Sequence, residues 1–186
     1  MEVESFTIFP PDADGQDHQS ENAREIGGQA VWTLSSCKQG FAMDQLRDGN
    51  LDTYWQSDGL QPHSISVQFP KRQTVLEVCF YVDYLQDESY TPQKISVKAG
   101  SHYHDLREIT QMSMTEPSGW VSVPLTRTDQ TAGVQANLLE ITMLSNHQNG
   151  RDTHMRQIKV FGPVERGISV IEKFQDPNLE TYSNLR

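Results

Sequence analysis

The sequence predicts an all-β jelly-roll sandwich, and three observations carry that prediction. Apolar residues recur with period two in at least six segments, turn signals separate those segments, and helical periodicity is confined to one short stretch. Residues 1–23 come first, rich in acids and interrupted by Pro10-Pro11 and Gly15; they bury too little apolar surface to offset the entropy of ordering and are expected to form a disordered arm. Phe41 to Arg47 is the single helical candidate, two turns at most. Strands then follow at Ile65, Val67 and Phe69; at Leu76, Val78, Phe80, Val82 and Tyr84; and at Ile95, Val97 and Ala99. The series continues with Val121, Val123 and Leu125, then Leu139, Ile141 and Met143, and closes with Ile158 and Val160. Turns are expected at Asp58-Gly59, Phe69-Pro70, Thr91-Pro92, Ala99-Gly100, Pro117-Ser118-Gly119 and Asn149-Gly150. Short strands at this spacing without intervening helices fit a jelly roll better than a parallel sheet. After Gly162-Pro163 the periodicity stops, so the chain divides into an arm (1–23), one domain (24–163) and a C-terminal tail (164–186), also expected to be disordered.

With 186 residues and 35% hydrophobic content, the chain can bury one sizeable core. The net charge of -10 is unevenly spread: residues 1–25 carry seven acids against Arg24 alone, while Ile26 to Gly162 holds 14 acids and 11 bases. With no Lys/Arg cluster to displace counterions, nucleic acid is not an expected partner. No run of about 18 apolar residues offers a membrane span, and Met1 to Pro11 has acids where a signal peptide has bases. A soluble intracellular chain is expected. Cys37 and Cys79 are far apart and form no CxxC pair, so buried free thiols are expected, with one disulfide as the alternative.

The most informative polar stretch is Ser145 to Val160. Asn149-Gly150 is a strong turn dipeptide because both residues tolerate positive φ, but a turn needs only about two residues. His147, Gln148, Arg151, Asp152, Thr153 and His154 supply donors and acceptors of every kind in one place, which marks a recognition surface carried on a rigid scaffold. Asp87-Glu88, ahead of Ser89-Tyr90-Thr91-Pro92, reads either as a solvated turn or as a second segment of that surface. Enzymatic chemistry has little to stand on. His147 or His154 could serve as a base, but no GxSxG elbow, suitably placed cysteine, P-loop or GxGxxG cradle accompanies them, and no catalytic residue is assigned. His102-Tyr103-His104 would place two imidazoles on one face of a strand, yet a third ligand is missing, so no metal and no cofactor is assigned.

The segment Gln45 to Gly59, with its acidic turn leading into Thr53-Tyr54-Trp55-Gln56-Ser57, resembles the early motif of galactose-binding-like jelly rolls, which implies a core Trp55 whose indole needs a partner. Arg24-Glu25-Ile26-Gly27, Ala30-Val31-Trp32, Leu34-Ser35-Ser36-Cys37-Lys38, Tyr54 to Gly59, Asp87 to Pro92 and Glu116 to Trp120 together resemble the DOC-domain subunits of the anaphase-promoting complex, in order and over about Arg24 to Pro163. That resemblance implies a non-catalytic co-receptor in a multisubunit ubiquitin ligase, found in nucleus and cytoplasm. Its loops would help a WD40 co-activator hold destruction-box degrons and so promote processive ubiquitination in mitosis. Carried over, the degron-facing positions are Ser89 and Tyr90 on one loop and Asn146, His147, Gln148, Asn149, Arg151, Asp152, Thr153 and His154 on the other; Asp152 could instead pair with Arg151 and brace the loop. The family's tail ends in Ile-Arg and docks in a tetratricopeptide-repeat groove of a scaffold subunit, a role that falls here to Leu185 and Arg186. The alternatives are an intracellular carbohydrate-binding module and, with less support, a glycoside hydrolase.

Overall fold

A computed structural model describes residues 6–10, 23–125 and 133–164. In chain order the elements are β1 (Thr7–Phe9), β2 (Ala23–Glu25), β3 (Val31–Leu34), α1 (Met43–Leu46), β4 (Trp55–Gln56), β5 (His63–Val75), β6 (Glu77–Asp83) and α2 (Tyr84–Asp87). They continue with β7 (Pro92–Gly100), β8 (Arg107–Ser113), β9 (Ser118–Pro124), β10 (Val134–Asn146), β11 (His154–Met155) and β12 (Gln157–Pro163). One antiparallel sheet runs β1-β9-β6-β12-β2 and the other β3-β5-β10-β7-β8, while β4 and β11 pair separately. This is the expected all-β galactose-binding-like jelly roll.

Period two explains which side chains fill the space between the sheets. Val78, Phe80 and Val82 of β6, Val121 and Val123 of β9, and Ile158 and Val160 of β12 meet Ile65, Val67, Ile95, Val97, Ile141 and Met143 of the other sheet, all essentially fully buried. Trp55 lies in this core with no exposed surface, and its indole Nε1 donates to the Ser36 carbonyl at 2.9 Å, as the resemblance implies. A smaller cluster, Cys79, Tyr81, Trp120 and Phe161, alternates with the core residues and so occupies the opposite face of the first sheet.

Several expectations are corrected. Thr7–Phe9, within the arm expected to be disordered, pairs with Trp120 to Ser122 as an edge strand, and Phe9 packs against the Trp120 cluster. Residues 1–5 and 11–22 of the arm, and 165–186 of the tail, lie outside the described residues. Tyr84 leaves the strand to begin α2, because the Asp83 carboxylate accepts from Leu85 N and caps the turn. Phe69-Pro70 does not reverse the chain: pairing with β10 jumps from Gln68 opposite Leu138 to Gln73 opposite Ala136, so the segment bulges out and rejoins the same partner. His102 and His104 belong to a 3-10 turn rather than a strand, where His102 Nδ1 lies 3.1 Å from Asp105 Oδ1. Of the thiols, Cys79 is buried but Cys37 is exposed; burial first, and then the Glu77 carboxylate, push Cys79 up to about 12, which leaves it a protonated packing group.

Because β1 carries its own pairing and the Phe9 contact, deleting residues 1–10 is expected to lower Tm by about 5 °C rather than leave it unchanged. Calorimetry of the full and truncated chains checks this.

Candidate functional site

The recognition loops gather at one end of the sandwich, where β7 begins and β10 ends. Their side chains do not all face outward. Asn146, His147, Thr153 and His154 are buried, whereas Gln148, Asn149 and Arg151 are exposed and Ser89 and Asp152 are partly so. The buried group explains itself by hydrogen bonding. Asn146 Nδ2 donates to the Gly150 carbonyl at 3.2 Å and the Asp152 carbonyl at 2.7 Å, while its Oδ1 accepts from Thr153 Oγ1 at 2.7 Å. His147 Nδ1 donates to the Thr91 carbonyl at 3.0 Å and Nε2 accepts from Glu116 N at 3.1 Å, which fixes the tautomer. These residues brace the loop through those bonds, whereas the exposed ones do not. The Asp152 carboxylate lies 3.5 Å from Ser57 Oγ rather than on Arg151.

The turn chemistry also differs from expectation. Positive φ falls on Gln148 (52°) and Asn149 (55°), whereas Gly150 has φ -59°. Gly150 is needed for another reason: a Cβ there would overlap the Ser89 carbonyl. The missing side chain lets the 88–90 and 147–149 turns touch. From the opposite side, Gln61 Nε2 and His63 Nε2 donate to the Arg151 carbonyl at 3.1 and 2.7 Å, so the loop backbone is gripped while the Arg151 side chain stays free to face solvent.

Beneath Tyr90 lies a feature hidden from the sequence pattern. Asp87, 6% exposed, accepts Arg156 Nε on Oδ2 at 2.9 Å, and Arg156 Nη2 and His154 Nδ1 on Oδ1 at 2.8 and 3.0 Å. The expectation of a solvated Asp87-Glu88 turn therefore holds for Glu88 alone. Burial opposes ionisation of Asp87, but the hydrogen bonds from His154 and Arg156 and the guanidinium charge outweigh it and hold the carboxyl below its ordinary value. Phe41, Tyr54, His154 and Tyr90 stack in series with centroids 5.0, 4.1 and 4.2 Å apart. Tyr90, 39% exposed, is the outer face of that stack, and beside it Tyr54, Asp87, Glu88, Ser89, His154 and Arg156 line an open cavity of about 280 Å³. Among the described residues no group of three His, Cys, Asp or Glu is placed to hold a metal.

The family model for anaphase-promoting complex subunit 10 matches residues 9–183. The chain belongs to this family. It is 55% identical over 166 residues to the Mus musculus anaphase-promoting complex subunit 10, covering 89% of this chain and 88% of that one. The Drosophila melanogaster subunit is 43% identical over 190 residues, covering 98% and 97%. Among solved structures, the family 32 CBM from C. perfringens NanJ in complex with galactose superposes with a TM-score of 0.61 at 14% identity, covering 75% of this chain and 98% of that one. At that identity the likeness establishes the fold alone.

Tyr54 and Asp87 lie in motifs resembling the family's and Arg156 in the polar stretch after Ser145, but nothing in their spacing places the three together. Asp87→Ala is expected to cost about 3–5 kcal/mol by leaving Arg156 charged, buried and without its carboxylate. Since the folded Asp87 carboxyl is depressed, its contribution is complete above the ordinary value of 3.8 and is lost as pH falls through the folded one. The urea midpoints of the parent and of Asp87→Asn should therefore converge as pH falls below 3.8. Gly150→Ala is expected to cost about 1–3 kcal/mol and to speed hydrogen exchange at Thr91 and His147, as the two turns are forced apart.

Proposed function

We propose that this chain is a non-catalytic subunit of an anaphase-promoting complex in nucleus and cytoplasm, where it serves as a co-receptor that helps a WD40 co-activator hold destruction-box substrates. Family membership supports the assembly. The observation that carries the co-receptor role is the division of labour in the loops: Asn146, His147, Thr153 and His154 are consumed in bracing, and the same bonds hold Ser89, Tyr90, Gln148, Asn149 and Arg151 at the surface. An extended peptide loses conformational freedom on binding, so a receptor whose own groups are already ordered retains more of the contact energy. Two such receptors on one peptide multiply its residence time. Both ring nitrogens of His147 are engaged, with the Thr91 carbonyl and Glu116 N, so His147 has no nitrogen free to act as a base.

Leu185 and Arg186 are proposed as the residues that dock in a tetratricopeptide-repeat scaffold, supplying an aliphatic side chain and a guanidinium. Deleting both should reduce co-purification of the scaffold with Tm unchanged; equal recovery would remove the tail from the proposal.

For the loops, replacing Ser89, Gln148, Asn149 and Arg151 together with alanine spares the bonds of Asn146, His147, Thr153 and His154, losing only the Gln148 bond to the Tyr84 hydroxyl, and should cut degron-dependent ubiquitin chain length several-fold while folding and assembly persist. Undiminished processivity in an assembled complex would refute the co-receptor role. A parallel titration with galactose reads the carbohydrate-binding alternative, for which no response is expected.

A further inference from the structure

Gln157 is buried at the start of β12, and its side chain reaches into the Gln45–Thr53 loop. Gln157 Oε1 accepts from Gly49 N at 3.1 Å. Its Nε2 faces three oxygens at once: the Gln45 carbonyl at 3.1 Å, Asp48 Oδ1 at 2.7 Å and the Asn50 carbonyl at 3.0 Å. An amide nitrogen has two protons, so three acceptors exceed what it can satisfy with linear bonds. Thr53 Oγ1 adds a fourth oxygen to the group, donating to Asp48 Oδ2 at 2.7 Å and lying 2.9 Å from the Asn50 carbonyl. Two backbone carbonyls and a carboxylate around the amide nitrogen, with a hydroxyl set against the same oxygens, are the kinds of donor a hard divalent cation takes. Asp48 is the charged member: burial opposes its ionisation, yet hydrogen bonds from Thr53, Asn50 and Gln157 hold it below its ordinary value.

The loop so held is coupled to the recognition end. Between Asn50 and Asp52, the Leu51 carbonyl accepts from Arg156 Nη1 at 2.9 Å, and the same guanidinium grips Asp87 under Tyr90. We propose that Gln157 is a positioning residue for the recognition end, its amide nitrogen occupying an oxygen cage of the calcium-binding kind, so that a calcium-class cation enters when residue 157 supplies a carboxylate instead. The positioning part rests on the co-receptor reading; the cage does not.

The test uses the full chain as Gln157→Glu, with Gln157→Leu as the control of similar volume. In EDTA, Gln157→Glu sets a second carboxylate against Asp48 and should lower Tm by about 6 °C or more. Calcium chloride should restore most of that loss, leave the parent unmoved, and fail to rescue Gln157→Leu. Capture of a destruction-box substrate by the assembled complex should fall at least about fivefold for Gln157→Glu in EDTA and return with calcium, one tenfold step being about 1.4 kcal/mol. The cage is refuted if calcium leaves Gln157→Glu where EDTA does, if it lifts Gln157→Leu equally, or if EDTA destabilises the parent. Thermal rescue without recovery of capture would refute the positioning role. A parent that captures no degron would refute the co-receptor reading instead, with the thermal arm still reading the cage.

Discussion

A carboxylate removed from water must be given back its hydrogen bonds, and Asp87 receives three of them from only two residues. That requirement organises the whole recognition end. Arg156 is held by its backbone N–H on the Tyr81 carbonyl and by Nη1 on Leu51, so the carboxylate is anchored to β6 and to the 45–53 loop at once. His154, turned by its bond to Asp87, becomes the middle of the Phe41-Tyr54-His154-Tyr90 stack. Tyr90 therefore owes its position to a charge it does not touch. Such a pair adds little net stability over an apolar replacement, but breaking it on one side is costly, and this asymmetry suits a part whose purpose is geometry.

The loops repeat the same economy at smaller scale. One amide, Asn146, satisfies two carbonyls and one hydroxyl, and one imidazole, His147, joins a carbonyl of the 88–91 segment to an N–H near the start of β9. Neither residue could be replaced by an apolar group without leaving buried backbone atoms unpaired. The exposed members, Gln148, Asn149 and Arg151, have no comparable duty beyond the bond from Gln148 Nε2 to the Tyr84 hydroxyl.

Period two made the sandwich legible: every apolar position assigned from Ile65 to Val160 except Leu76 and Tyr84 is buried, because a sheet packed on one face imposes that alternation directly on the chain. Edge strands escaped, since Thr7–Phe9 is three residues long and its partner β9 is more than a hundred positions away. The recognition stretch was legible as a whole but not residue by residue. A run such as Asn146 to His154 has one composition whether a given side chain points at a partner or at the backbone of its own loop, and only the fold decides. Gly150 is the clearest case: the dipeptide signalled a turn, whereas the structure requires the glycine for the approach of Ser89 and leaves positive φ to Gln148 and Asn149.

The likeness to sugar-binding jelly rolls and the family relation separate cleanly on these grounds. What is shared at 14% identity is the sandwich, which any sequence with the right alternation and turns can build. Beyond the sandwich, the loop end of this chain is filled by an aspartate bridging Arg156 and His154, an amide at Gln157 drawn among oxygens, and a glycine seating one turn on another. Each of these serves to fix position: two by spending a polar group, and Gly150 by lacking a side chain. A surface assembled in this way has little conformational freedom left to lose on contact, so more of any contact energy is kept.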